Sequence, residues 1–257
     1  MATYHQPKCR SGSDGYLFTN KNARNHVVYS ITKTVTMVKR LSLFFIVVFL
    51  SSSVFAQAPS PEDLLSDRAN ALIDTAMRGL NLRAKIFNIE LEKINALRPL
   101  DPDSFTPKRM DSVVTGLKDF TGYLEVYRTM SNVTLKSLQD SVESIRTSVP
   151  KSKRKTFLKE FLDAYTLDHN AFEKYTKLLS ILYADVIKAL EYGKSINIEV
   201  KDDQLQFTNK QHYDEYSKII SSIEKNNKKV MTAGANAQKA TADASLAMQK
   251  AYGSAKK

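Results

Sequence analysis

The chain has 257 residues, of which 42% are hydrophobic and 25% are charged, so its composition is that of a folded protein rather than of a disordered one. Its formal net charge is +11, and its single cysteine excludes both an intramolecular disulfide and a multi-cysteine metal site. The length is sufficient for one domain with a substantial core.

Residues 37–56 have the three parts of a secretory signal peptide. Met37 is followed by Val-Lys-Arg and by an apolar run at 41–55, and small side chains precede a predicted cleavage site after Ala56. A membrane-spanning helix needs about 20 apolar residues, so this run is short and we expect cleavage, with an uncleaved anchor as the alternative. The sequence therefore predicts export to the periplasm or the extracellular space, with membrane contact only through this transient segment.

Residues 1–36 show no helical or strand period, and we interpret them as a non-native or disordered extension with Met37 as the start codon. Cleavage after Ala56 would remove the only cysteine, Cys9, together with seven basic residues and one acidic residue. The remaining 31 basic and 26 acidic residues give 57–257 a net charge of +5. Export and this modest charge argue against a nucleic-acid partner.

Four apolar stripes at helical spacing predict four helices at about 61–97, 107–148, 151–192 and 209–252. The prolines lie at the proposed boundaries, since proline interrupts a helix interior but is tolerated in a first turn. Gly193 is expected to end the third helix in the left-handed conformation. Stripes of similar length indicate an all-α fold, an antiparallel up-down-up-down four-helix bundle in residues 57–257 with coiled-coil-like packing.

Between the third and fourth helices, residues 196–207 alternate apolar and polar side chains, which predicts a small β-hairpin. With the turn at Asp202 and Asp203, Val200 pairs with Leu205 and the apolar side chains fall on one face. Such a hairpin is marginal alone, so we expect it to pack against one end of the bundle.

Asp168, His169 and Glu173 form the candidate polar site. Asp168 falls on the apolar stripe of the third helix, where an unpaired carboxylate is rare, and His169 and Glu173 are four residues apart on one helix face. One interpretation is a reactive site in a cleft. The other, which we favour because structural ion pairs are common, is that Asp168 pairs with a lysine, arginine or tyrosine of a neighbouring helix.

Five basic residues cluster at the predicted start of the third helix. They are Lys151, Lys153, Arg154, Lys155 and Lys159. Such a cluster can hold the phosphate groups of lipids or nucleic acid. Runs of charge are usually solvated, however, so we expect a solvated surface.

Aromatic residues recur on the last three helices and could line a ligand pocket. They are Tyr123, Tyr127, Tyr165, Phe172, Tyr175, Tyr183, Tyr192, Tyr213 and Tyr216. A stripe at this spacing is more often core, with hydroxyl groups at its rim, and we favour core packing.

Two regions leave the question of a partner open. The alanine-rich residues 233–251 either pack closely through small side chains or are loosely held and available to a partner. Tyr123, Val126 and Met130 lie off the main stripe of the second helix, where they widen that stripe or face a partner. The sequence leaves both a monomer and a homo-oligomer possible.

The common motifs of enzymes, metal sites and cofactor sites are missing, so no catalytic residue, metal ligand or cofactor is predicted. We therefore expect an exported, non-enzymatic helical-bundle protein that acts through an unknown protein or envelope partner. A small-ligand-binding or sensory bundle with a tyrosine-lined pocket is the alternative, and an enzyme of unknown type is the third possibility.

Overall fold

Four long helices make up most of the structure, a computed structural model that describes residues 61–153 and 158–254. Helical residues account for 88% of the described ones. The prediction of a mostly helical protein with four helices is therefore confirmed. The helices are α1 (Pro61–Leu97), α2 (Pro107–Thr147), α3 (Lys159–Ser195) and α4 (Lys210–Ser254).

The predicted export signal lies outside the described residues. This applies to residues 37–56, to the cleavage site after Ala56 and to the extension at 1–36. Within the described part of the chain, no helix is both long enough and apolar enough to span a membrane.

The start of α3 differs from the prediction of a helix that begins at residue 151. Lys151–Lys153 form a single 3-10 turn, and α3 begins at Lys159. Leu158 has a φ of 57°, in the left-handed region, so the chain does not run as one helix from residue 151. At its other end α3 continues to Ser195, beyond the predicted end at 192.

The prediction that Gly193 ends the third helix is wrong. Gly193 lies inside the last turn of α3, and the left-handed residue after the helix is Asn197, with a φ of 50°. A Cβ atom at Gly193 would lie 2.9 Å from Cδ1 of Phe105 and 3.2 Å from Cγ2 of Ile198. Glycine is therefore required here for a close approach between elements and not for a turn.

A two-stranded hairpin connects α3 to α4, as predicted. Val200 lies opposite Leu205, and Asp202 and Asp203 have φ values of 51° and 55°, which is the type I′ geometry of a two-residue hairpin turn. Leu205 is buried, so the hairpin covers part of the core. The strands are β1 (Glu199–Lys201) and β2 (Gln204–Gln206), and they are antiparallel.

Phe105 inserts into the core from the connection between α1 and α2. It ends a short 3-10 helix, Pro102–Phe105, and is only 1% exposed. Its ring lies against Gly193 of α3, and its centroid is 5.9 Å from that of Tyr216 of α4. The neighbouring Ser104 hydroxyl donates to the carbonyl of Arg98 at 2.8 Å. One aromatic side chain thereby joins the connection to α3 and α4.

A buried apolar cluster takes side chains from all four helices. α3 makes its most extensive contacts with α4, and α2 contacts both α1 and α3. The fully buried members of this cluster are Ala69 and Ile73 of α1, Phe161 of α3, and Ala244 and Met248 of α4.

The alanine-rich part of α4 packs closely through its small side chains. Ala237 and Ala244 are buried, and a Cβ atom at Gly234 would lie only 3.2 Å from Cε2 of Tyr175 on α3. Small residues allow this close approach between helices and bury little area each. Of the two interpretations of residues 233–251, close packing is the one observed.

Candidate functional site

Asp168 lies at a buried junction of three helices. Its side chain is 0% exposed, and Arg83 Nη2 of α1 donates to Oδ1 at 2.8 Å. Thr241 Oγ1 of α4 also donates to Oδ1, at 2.6 Å. Arg83 Nη1 lies 2.7 Å from Oδ2, an ion-pair contact that is not a well-directed hydrogen bond. Asp168 thus pairs with a basic residue of a neighbouring helix, which is the arrangement expected of a structural ion pair rather than of a reactive site in a cleft.

Arg83 is the partner that the sequence analysis missed. Its guanidinium carbon lies 4.5 Å from the ring centroid of Phe172, which adds a cation–π contact to the ion pair. Burial alone lowers the pKa of Arg83, but the hydrogen bond and the charge of Asp168 more than offset this and raise it. A signal was present, because Arg83 occupies the stripe position between Leu80 and Phe87, where an apolar side chain is expected.

His169 joins α3 to α2. It is 3% exposed, its Nδ1 lies 3.0 Å from Ser131 Oγ, and its Nε2 lies 2.9 Å from Asn132 Oδ1. These partners suit a neutral ring in which Nε2–H donates to Asn132 and Nδ1 accepts from the Ser131 hydroxyl. Burial lowers the pKa of His169, which also favours the neutral form.

Glu173 lies beside His169 but makes its shorter contact with Lys177. Its Oε2 lies 4.0 Å from His169 Nε2, whereas its Oε1 accepts from Lys177 Nζ at 2.8 Å. The hydrogen bond from Lys177 lowers the pKa of Glu173. Asp168 is directed at α1 and α4, His169 at α2, and Glu173 at a neighbour on its own helix. Asp168 thus makes its contacts apart from the other two, while Glu173 lies next to His169 without a short hydrogen bond to it.

We expect the free energy of unfolding to decrease as the pH falls below about 6.5, because the buried His169 has a lowered pKa. In this range the unfolded chain binds the proton more readily than the folded one, so acid favours unfolding. The His169→Gln variant should lose this part of the pH dependence, as measured by urea denaturation at about pH 7.5 and about pH 5.5. The control variant His212→Gln should retain it. An unchanged pH dependence in His169→Gln would contradict the buried neutral ring.

A shallow depression lies between α2 and α3 beside His169. Tyr127, Arg128 and Glu173 are at its border, and among the described residues it encloses no space for a water molecule. Arg128 Nη1 donates to Ser180 Oγ at 3.0 Å, so this guanidinium also bridges α2 and α3. The depression can make surface contacts but does not form a pocket for a small molecule.

Most of the aromatic side chains predicted to line a pocket or form core contact another aromatic ring, whereas the hydroxyl of Tyr192 donates to Glu215. Burial raises the pKa of Tyr123 and of Tyr183 to about 12. The hydroxyls of Tyr123 and Tyr175 are buried and have no partner among the described residues. The rings that contact one another include Phe87 with Phe172 at 5.0 Å between centroids, Phe120 with Tyr183 at 5.4 Å, and Tyr127 with Phe172 at 5.5 Å.

The basic cluster is only partly described. Lys151 is exposed, and Lys159 forms an ion pair with Asp163 one turn further along α3. Arg154 and Lys155, and the side chain of Lys153, lie outside the described part of the chain. A phosphate site formed by all five residues stays a prediction.

Large apolar side chains are exposed on each of the four helices, and those of α1 and α2 include the following five. Leu82 and Ile89 of α1 are 46% and 43% exposed, and Val126, Met130 and Val133 of α2 are 51%, 43% and 66% exposed. Together with the half-buried Ile86, we call these residues the α1/α2 apolar surface. Single exposed apolar residues are common, but a contiguous group of them marks an interaction site.

In residues 61–153 and 158–254, no three His, Cys, Asp or Glu side chains are grouped so that they could hold a metal ion. Comparison with protein-family models, with curated proteins and with solved structures finds no match to this chain. The proposed function therefore depends on the contacts and exposures described above.

Proposed function

We propose that this protein is an exported helical bundle that acts by binding a protein or envelope partner through its surface and does not catalyse a reaction. The α1/α2 apolar surface is the observation that carries the proposal. Five of its six side chains are 43% to 66% exposed, and binding of a partner would remove them from water. The export part of the proposal is supported by the residue pattern at 37–56.

The buried polar groups support a non-enzymatic role. The carboxylate of Asp168 is engaged by Arg83 and Thr241, and both ring nitrogens of His169 are engaged by α2. A catalytic acid or base must reach its substrate within hydrogen-bond distance. These groups make their hydrogen bonds inside the protein, where they hold the helices in register.

The proposal includes the up-down-up-down arrangement of the four helices. The pairs of residues that join neighbouring helices support it. As the residue number increases along one helix, the number of its partner on the next helix decreases, which is the pattern of antiparallel helices. Such pairs are Lys118 with Glu191 and Ser131 with His169 between α2 and α3, and Asp168 with Thr241 and Tyr192 with Glu215 between α3 and α4.

Photo-crosslinking in cells of the source organism tests the proposed function. A photoreactive residue in place of Val133, which is 66% exposed, is expected to give an adduct that depends on ultraviolet light. The same residue in place of Lys174, which is exposed on α3, serves as the control and should give none. The exported product should begin at Gln57. Equal yields at both positions would contradict the binding role, and an N-terminus upstream of Gln57 would contradict cleavage.

Small-ligand binding is the second candidate function. It is favoured by the buried hydroxyls of Tyr123 and Tyr175, which lack a partner among the residues described. A ligand could satisfy these hydroxyls only if the neighbouring rings moved apart, since the ring of Tyr175 already contacts Phe87 and Phe172. Surface binding requires no such movement, which is why it is the first candidate.

A further inference from the structure

The exposed apolar residues of α1 lie on the side of the helix that borders α2 and faces away from the core. Leu97 of α1 packs against Gly116 of α2, where a Cβ atom would lie 2.8 Å from Leu97 Cδ1. The charges of Glu90 and Arg83, seven and fourteen residues earlier, act on the hydroxyls of Tyr123 and Tyr127, so these α1 positions also border α2. At about 100° per residue, the buried Phe87 and Leu91 lie on one side of this line of positions. Leu82, Ile86 and Ile89 lie on the other side.

The same geometry applies to α2. Gly116, Tyr123 and Tyr127 approach α1, and the buried Leu117 and Leu124 lie to their inner side. The apolar residues on the outer side of this line are Val126, Met130 and Val133.

The two stripes therefore border one external groove. With Leu97 against Gly116 and the two helices running in opposite directions, Leu82 lies near the level of Met130 and Ile86 near the level of Val126. The groove is two helices wide and apolar on both sides, which is a shape that another pair of helices can fill.

The charges at the edges of the groove indicate which pair of helices fits. On α1 the edge carries the exposed Lys85, Glu92 and Lys93, and on α2 it carries the exposed Asp119 and Glu125. Lys85, Asp119 and Glu125 have no ion-pair partner within the described chain. Lys93 pairs with Glu90 on its own helix at 2.6 Å. Lys85 is therefore the unpaired positive charge of the α1 edge, whereas the α2 edge carries the unpaired negative charges of Asp119 and Glu125.

We propose that the α1/α2 apolar surface binds a second copy of this chain, in a dimer whose two-fold axis runs parallel to the helices. Such an axis places α1 of each copy against α2 of the other at the same level. Lys85 of one copy then lies near Glu125 of the other, and Lys93 lies near Asp119. The alternative two-fold axis, perpendicular to the helices, would place α2 against α2 and bring the negative charges of the two α2 edges together, which is unfavourable.

This inference rests on the proposed binding role of the same surface, and the two can fail separately. If the purified protein is a monomer while Val133 still forms a cross-link to another protein in cells, the dimer is wrong and the binding role stands. If Val133 forms no adduct in cells, the binding role itself is wrong.

Sedimentation of the purified protein, as cells produce it, tests the dimer from micromolar to submillimolar concentration. We expect a monomer–dimer equilibrium that Met130→Lys weakens by about tenfold or more, because the ammonium group would be buried in the apolar interface. The control Ile181→Lys places the same charge at a residue of α3 that is 49% exposed, so its dissociation constant should be unchanged. A monomer at all concentrations would overturn the dimer, and so would equal effects of the two substitutions.

Charge exchange tests the direction of the two-fold axis. Lys85→Glu and Glu125→Lys should each weaken the dimer, because each places like charges together, and the double variant should restore it. All these positions are exposed, so the monomer is expected to fold in each variant, as circular dichroism can verify. If Lys85→Glu strengthened the dimer, or if the double variant failed to restore it, the parallel axis would be wrong.

Discussion

Replacing Arg83 with methionine, with Asp168 kept, is expected to lower the free energy of unfolding by about 3–5 kcal/mol. The substitution leaves the Asp168 carboxylate, which is 0% exposed, with the Thr241 hydroxyl as its only hydrogen-bond donor within the described structure. A buried charge that has lost its counter-ion is strongly destabilising. Urea denaturation followed by circular dichroism at neutral pH measures the loss.

Two controls separate the loss of the buried ion pair from the loss of an arginine. Arg78→Met removes an arginine that is 81% exposed and paired with Asp74 on the same helix, and should cost less than about 1 kcal/mol. The double variant Arg83→Met/Asp168→Leu removes both charges, so its stability should be equal to that of the parent protein or higher by up to about 4 kcal/mol. If Arg83→Met and Arg78→Met had the same small effect, the pair would have no structural role.

The Phe105→Ala variant is expected to lose about 3–5 kcal/mol of stability, because a fully buried phenyl ring leaves a cavity when it is truncated. Phe105 is 1% exposed and lies between Gly193 and Tyr216, so neither neighbour fills the space without movement of a helix. Thermal and urea unfolding both measure the change.

Phe105→Leu is the matched control, since leucine keeps most of the buried volume and should cost clearly less. A loss of less than about 1 kcal/mol in Phe105→Ala would contradict the role of this side chain in joining the α1–α2 connection to α3 and α4.

Most of the secondary structure could be predicted from the sequence because it follows from local periodicity. Apolar residues at spacings of three and four indicate the four helices, and the change to alternation at 196–207 indicates the hairpin. Gly193 was misassigned, because glycine suits both a helix terminus and a close approach. Only the position of Phe105 next to it distinguishes the two.

Long-range partners could not be predicted from spacing. Asp168 was recognised as a residue that needs a partner, but Arg83 is separated from it by 85 residues. His169 and Glu173 share one helix face, as their spacing indicates, and lie 4.0 Å apart, but the closer partners of His169 on α2, Ser131 and Asn132, could not be found from spacing. These contacts with α2 use both ring nitrogens of the buried imidazole, so Glu173 is its more distant neighbour.

Phe105 was missed for a different reason. It lies in a short connection that contains Pro99, Pro102 and Pro107, where no helical or strand period exists to mark a buried position. A large aromatic side chain in such a connection is the only signal, and burial of aromatic area is the physical reason for it.

We assign the Arg83–Asp168 pair a role in stability alone, and we propose that the α1/α2 apolar surface binds the partner. The most direct test is photo-crosslinking from position 133 in the double variant Arg83→Met/Asp168→Leu. If the pair is structural, the double variant folds and gives the same adduct in the same yield as the protein with the pair intact. The contradicting result is a double variant that folds with unchanged stability but gives no adduct. The buried pair would then take part in binding and not only in stability.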